Sequence, residues 1–439
     1  MVSAILSARF WFLDLRLRVA MVLCIVMAAA LCVKAAVPGY EHSIFPVYAA
    51  SARHWWADKP LYIFYPQSEQ PDFFRYSPTF AVVFSPFLAL PNPLDEIAWS
   101  LVSLGLLLSA LHVSLRDVFS AYLWTDALGE TIDVDRFRDE NVFFAVALAV
   151  SAMGLWSCQS NALVLAFVLL GLSAMTRERW WTAAACFAAA VLLKPWAAAL
   201  VLLLLVFWPR RLTLRFAAMC IALAVVPFLT RPPSIVLSHY EQWFHSLMFP
   251  GRDRWPGFRD AWTIWSEATA LLGGDANAAA HRFGYMTLQA LSAFITLGWC
   301  ILQWTRSRKR LALLGKNIVS SAPPARLLSL IFSIWAIWVL LFGPASEQLT
   351  YGIVAPTAAC AIILCFREKH FRIAIVLTTV GLSLLSAGDA EGAACYLVPF
   401  AKSLLPLCVV ALLFWLTRRE HTLTMAGRWA AKTGAVKTA

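Results

Sequence analysis

The residues of this chain that can do chemistry are few and widely spaced. Lys194 stands between two apolar runs, 180–193 and 195–208, and is followed by Pro195. Proline loses a helical ladder bond and clashes with the preceding turn, so the pair marks a break between two half-length helices. Breaks at membrane depth are tolerated where they are buried in protein or line a polar cavity, and an ionisable residue there is a functional candidate. A lipid phosphate is a natural counter-ion for Lys194, aided by the N–H groups of the following helix start. The plainer alternative is a lysine that snorkels from a helix end. Glu41 follows the first apolar run by a few residues, beside His42. A carboxylate at a water–lipid boundary is partly desolvated, which favours general-base chemistry; a hydrated interfacial glutamate is the bland reading. Glu347, between two later runs, and Asp58, in a turn, are the alternative carboxylates.

Cationic and amide side chains complete the set. Arg75-Tyr76 precedes a short apolar segment, and Arg252, Arg254 and Arg259 lie among tryptophans. Arginine binds phosphate bidentately and aromatic faces stack on sugars, although contact with lipid headgroups explains the same residues. Gln159 and Asn161 sit in the turn Ser157–Asn161, where amides bond a sugar or cap two helix ends. His239 and His245 are six apart and share no helix face. No Cys-x-x-Cys pair, P-loop, GxGxxG or GxSxG element stands in a credible context, and no metal or cofactor is expected.

The elements that must position these groups are membrane spans. Of 439 residues, 61% are hydrophobic and 14% charged, against about 45–50% and about 25% in soluble domains. Apolar runs near the 17–25 residues of a bilayer-crossing helix fall at roughly 17–38, 94–115, 140–156, 160–176, 180–193, 195–208, 213–229, 284–304, 326–342, 349–366, 372–386 and 394–416. With both termini in the cytoplasm, 25 of the 36 Lys and Arg residues lie inside, as the positive-inside rule requires. The net charge of +11 therefore reads as topology and not as nucleic-acid binding.

Ser77–Pro91, interrupted by Pro86, reaches about 22 Å and falls short of a ~30 Å core, so it reads as a juxtamembrane or re-entrant helix. The first run reads as an uncleaved signal-anchor. Two outward segments are long, 39–93 with an amphipathic stretch Phe45 to Trp56, and 230–283. The acidic segment 117–139 reads as a solvated cytoplasmic connection. The cysteines lie in or at the ends of apolar runs, where the residue behaves as a small hydrophobe. The expectation is an all-α polytopic membrane protein with one integral domain over 1–439.

Four stretches resemble glycosyltransferase family 87, membrane-embedded enzymes of the GT-C class. They are Phe45-Pro46-Val47-Tyr48-Ala49-Ala50 running to Asp58-Lys59-Pro60-Leu61-Tyr62; Arg75-Tyr76-Ser77-Pro78 with Ser85-Pro86 and Leu90-Pro91; Cys158-Gln159-Ser160-Asn161, where the family usually has Gly-Gln-x-Asn, with Lys194-Pro195; and Gly343-Pro344 to Tyr351 and Pro356. One departure stands out. The family usually has an acidic residue immediately before the Phe-x-Val-Tyr stretch, and here that position is Ile44. The resemblance implies a GT-C-like bundle of about 12 spans with juxtamembrane helices on the outer face of a bacterial plasma membrane. It implies hexosyl, mannosyl-like transfer with inversion from a polyprenyl-phosphate-linked sugar to a lipid or glycan acceptor. Lys194 and Arg75 would then meet the donor phosphate, Tyr48, Tyr76, Gln159, Asn161 and Tyr351 the sugar or acceptor, and Glu41 would be the base. A lipid or solute transporter, an oligosaccharide-lipid ligase or polymerase, and an inactive lipid-binding relative are the competing classes.

Overall fold

The computed structural model describes residues 20–37, 43–66, 69–70, 72–125, 131–248, 278–313, 322–343 and 348–368. Among them the regular structure is helical, apart from one isolated bridge between Thr125 and Thr131. The expected spans 372–386 and 394–416 lie outside the described residues, as do Glu41, Glu347, Arg252, Arg254 and Arg259.

Most of the described apolar runs form helices close to their expected bounds, while the run 284–304 lies within a longer helix of 36 residues. The first run is α1 (Ala20–Ala36), and the amphipathic stretch after it is α2 (Phe45–Trp56). The short segment forms α3 (Pro78–Phe84) and then a 3-10 turn at Ser85–Ala89 that contains Pro86. α4 (Leu94–Ser114) outlasts its expected end at 115: it passes through a π-helical turn (Leu115–Phe119) into α5 (Ser120–Leu123), a continuous run of 30 residues. Next come α6 (Arg136–Trp156), α7 (Asn161–Thr176), α8 (Trp180–Leu193) and α9 (Ala198–Phe207), with Pro195–Ala197 as a 3-10 turn between the last two. α10 (Pro209–Val225), α11 (Pro233–Met248), α12 (Ala278–Leu313), α13 (Ala325–Phe342), a 3-10 segment (Gln348–Val354) and α14 (Ala355–Arg367) follow. Pro78, Pro209 and Pro233 each open a helix, where the missing N–H costs nothing.

Burial sorts the helices into centre and rim. In the apolar windows of α13 and of Leu349–Arg367, 78% of residues are buried, against 11% in α10 and in Gly284–Lys309 of α12. The central pair packs with α4, α6, α7, α8 and α9 in one large apolar core. α10 and α12 present apolar surface outward, as edge helices in lipid do. Where α7 meets α8, a Cβ on Gly171 would stand 2.5 Å from Cε1 of Phe187. A small residue is what lets this aromatic ring seat against the facing backbone.

Side-chain contacts sort the helix ends. At one end Arg177 pairs with Asp117, Arg211 with Glu178, and Arg367 with Asp139. There the guanidiniums of Arg136, Arg211, Arg215 and Arg326 also lie over the rings of Trp124, Trp180, Trp181 and Tyr122. The segment 117–139 is thus more than the solvated connection expected. Asp139 is buried and takes Trp124 Nε1 at 3.2 Å as well as Arg367, so its charge is compensated inside the protein. At the opposite end, an aromatic core joins α2, α3 and Trp99 of α4 to Cys158, Leu163 and Val236. The two ends follow the alternation expected for successive spans.

Candidate functional site

The turn 157–161 joins α6 to α7 and is the hub of the aromatic end. α6 closes with two bonds, Cys158 N to Leu155 O at 3.0 Å and Gln159 N to Gly154 O at 2.9 Å, the pair that defines a Schellman stop. That motif needs a left-handed residue, and Cys158 takes the role with φ 54°. Glycine is favoured at this position because it lacks the Cβ, so a cysteine there is held by its surroundings. Its carbonyl accepts from Trp99 Nε1 at 3.1 Å, and its thiol contacts Glu96 and Ser100. Burial pushes the thiol pKa up. The turn also anchors the chain before α2, since Ile44 N donates to Ser157 O at 3.0 Å.

Four of the expected site residues meet here. The Tyr48 and Tyr76 hydroxyls lie 2.8 Å apart, and Ser160 N donates to Tyr48 Oη at 3.1 Å. Tyr62 fixes the Tyr76 backbone by donating to its carbonyl at 2.7 Å. Lys194 Nζ donates to Gln159 Oε1 at 3.2 Å and stands 5.7 Å from the centroid of the Tyr76 ring. α8 before it is 14 residues, about 21 Å, and α9 after it is ten residues, about 15 Å. Both are shorter than the ~30 Å apolar core, so the break at Lys194 is recessed from the end of the bundle. Lys194 has no carboxylate partner among the described residues. The Tyr48 phenol, by contrast, is raised well above its usual pKa, first by burial and then by Tyr76. It acts as a neutral hydrogen-bonding group.

Other expected residues are placed elsewhere. Asn161 turns away from Lys194 and donates to Leu349 O at 3.0 Å, tying α7 to the 3-10 segment. Tyr351, on that segment, is fully buried in the large core and not in the aromatic one. Arg75 lies 3.6 Å from Asp72, and its carbonyl takes Trp243 Nε1 at 3.2 Å. Asp58 occupies the left-handed stop of α2 with φ 56° and pairs with Arg231 at 3.0 Å. Arg231 also binds the α2 carbonyls of Trp55 and Trp56. A helix stop accounts for Asp58. Glu69 is held at lower pKa than usual by hydrogen bonds from Lys59 and His54.

The Gln159 turn, the helix break at Lys194 and α3 fall within residues 73–329, which match the description glycosyltransferase family 87. That is more than half of the chain. The chain belongs to glycosyltransferase family 87. It is a multi-pass membrane glycosyltransferase of the GT-C class. This glycosyltransferase is also similar to ArnT from Cupriavidus metallidurans in its crystal structure bound to undecaprenyl phosphate. There the identity is 16%, the TM-score 0.40, and the coverage 96% of this chain and 74% of ArnT. No curated protein matches it.

Two residues of this glycosyltransferase escape the sequence reading. Lys34, buried in α1, donates to Glu96 Oε1 at 2.6 Å, and Ser43 Oγ reaches the same oxygen at 2.9 Å. An ionisable residue inside an apolar run is a signal in its own right, and Lys34 carries it. Glu96 gave none, because an acidic residue in a first helical turn is ordinarily a partner of the helix dipole.

Proposed function

We propose that this glycosyltransferase moves a hexose, mannose-like, from a polyprenyl-phosphate donor to a lipid or glycan acceptor on the outer face of a bacterial plasma membrane. The observation that carries the reading is the recessed Lys194 beside Gln159 and Tyr76. An ammonium at membrane depth without a carboxylate partner is costly unless an anion joins it. A phosphate attached to a lipid chain brings that charge at that depth. The Gln159 amide and the Tyr76 ring then stand next to the phosphate, where a sugar follows. The basic residues gathered at the Arg177 end support a cytoplasmic location for that end, which leaves the Gln159 turn on the outside.

The chemistry follows from charge placement. The acceptor oxygen attacks the anomeric carbon, and the bond to the phosphate oxygen breaks with inversion. Negative charge grows on the departing lipid phosphate, where Lys194 stabilises it. A carboxylate on the outer face takes the acceptor proton. Side-chain charge suffices for these steps, and the reading asks for no metal or cofactor.

The test uses purified full-length protein in lipid nanodiscs with a panel of polyprenyl-phosphate sugars and a membrane-lipid acceptor extract. Consumption of one donor with release of polyprenyl phosphate is the expected result. Failure to bind or consume any polyprenyl-phosphate sugar, alongside turnover of a nucleotide sugar, would overturn the reading.

A further inference from the structure

Glu96 combines features that neither the helix dipole nor ordinary ion pairing explains. It sits in the first turn of α4 at the Gln159 end, and one of its oxygens, Oε1, takes three donors. These are Lys34 Nζ at 2.6 Å, Ser43 Oγ at 2.9 Å and Cys158 Sγ at 3.2 Å. The donors come from α1, from the segment before α2 and from the α6–α7 turn. Each is an element that a solvated glutamate would not need to bridge. Oε2 takes no hydrogen bond among the described residues, and the side chain keeps 17% of its surface, while Lys34 keeps 1%. The carboxylate is thus fixed by one oxygen and presents the other.

The surroundings hold this orientation. Asp95 Oδ1 accepts the Glu96 N–H at 2.9 Å, Trp99 one turn on is fastened to the Cys158 carbonyl, and Ser100 reaches the Cys158 thiol at 3.5 Å. Cys158 is next to Gln159, the residue that holds Lys194. The two charged groups therefore address one turn, Glu96 through Cys158 and Lys194 through Gln159. Two other described carboxylates at this end have different tasks. Asp58 stops α2, and Glu69 is bound by Lys59 and His54. A base must be positioned, open to the substrate and backed by partners that fix its rotamer.

We infer that Glu96 is the general base of the transfer, with Lys34 as its positioning residue, and the inference rests on the polyprenyl-phosphate reading above. The acceptor hydroxyl gives its proton to Glu96 Oε2 as its oxygen bonds to the anomeric carbon. The bond from that carbon to the phosphate oxygen breaks, and the electron pair leaves on the lipid phosphate beside Lys194. Proton, electron pair and leaving group are all accounted for within substrate and side chain.

Glu96→Gln tests this in the full-length protein, because the amide oxygen still accepts from Lys34 and Ser43. Turnover should fall by about 10²–10⁴-fold, the usual contribution of a general base. Donor affinity should stay within about threefold. Glu96→Asp should recover part of the rate, and Glu41→Gln should cost far less than Glu96→Gln. Full turnover in Glu96→Gln with donor binding intact would overturn the assignment and leave the donor reading standing. Loss of donor binding together with turnover would also overturn it, making Glu96 a structural strut, and collapse in Glu41→Gln alone would move the base to that residue. A wild-type protein that binds no polyprenyl-phosphate sugar would remove the underlying reading itself.

Discussion

Replacing Tyr48 by Phe isolates the polar contribution of the aromatic hub. The ring remains, with its edge contacts to Phe80, Phe84 and Trp99 at centroid distances of 4.9, 5.6 and 5.5 Å. Only the hydroxyl is lost, and two buried groups depended on it. Ser160 is fully buried and its N–H donates to that oxygen at 3.1 Å; Tyr76 Oη stands 2.8 Å away. A buried donor left without a partner costs about 1–3 kcal/mol. Taking about 2 kcal/mol, the equilibrium for opening the 157–161 turn shifts by a factor of about 30. Cys158 reports that opening directly, since it lies within the turn and is 3% exposed. In a protein whose other cysteines are replaced, a water-soluble maleimide should label Cys158 between about 5 and 150 times faster in Tyr48→Phe than in the parent. Tyr48→Leu, which also removes the ring contacts, should be faster still. An unchanged labelling rate in Tyr48→Phe would show that Ser160 N–H has no need of the hydroxyl.

Three further outcomes are expected. A cysteine introduced near Lys309 should resist an impermeant thiol reagent in intact cells while one near Arg254 reacts, and the reverse pattern would invert the topology. Gly171→Ala should destabilise the α7–α8 contact by about 1–3 kcal/mol through overpacking against Phe187, read as a lower denaturation midpoint in detergent; Phe187→Leu should restore part of it. His239 has its pKa lowered from 6.5 by burial, with Asp58 opposing. Burial disfavours the imidazolium in the native form, so unfolded chains protonate first as pH falls below 6.5 and stability drops on the acid side of that value. His239→Gln should flatten the fall of the denaturation midpoint below pH 6.5; an unchanged slope would assign the effect to another group.

The spans were legible because the bilayer imposes a length and a polarity that composition alone displays. The break at Lys194-Pro195, the short proline-interrupted helix within Ser77–Pro91 and the α2 stretch Phe45–Trp56 all follow from proline placement, run length and amphipathicity, and each stands where expected. Three-dimensional partnerships were less legible. Gln159 and Asn161 are two residues apart in one turn, yet one faces Lys194 and the other Leu349. Only the direction of each side chain separates a site residue from a strut. Tyr351 shares a family-like motif with its neighbours but belongs to the large core. Lys34 and Glu96 are 62 residues apart, and no local pattern links them. The acidic 117–139 segment misled for the same reason, since the partners of Asp117 and Asp139 come from Arg177 and Arg367, far along the chain.

Lys194 is proposed to receive the donor phosphate. Equilibrium binding of a polyprenyl-phosphate hexose to purified wild-type, Lys194→Ala and Lys194→Arg proteins tests it most directly. A hydrogen bond to a charged group is worth about 1.5–3 kcal/mol, so Lys194→Ala should weaken binding by about 10- to 150-fold. Lys194→Arg should keep part of the affinity, because the charge remains while the geometry changes. Wild-type affinity in both variants would contradict the account and leave Lys194 as a snorkelling residue at a helix break.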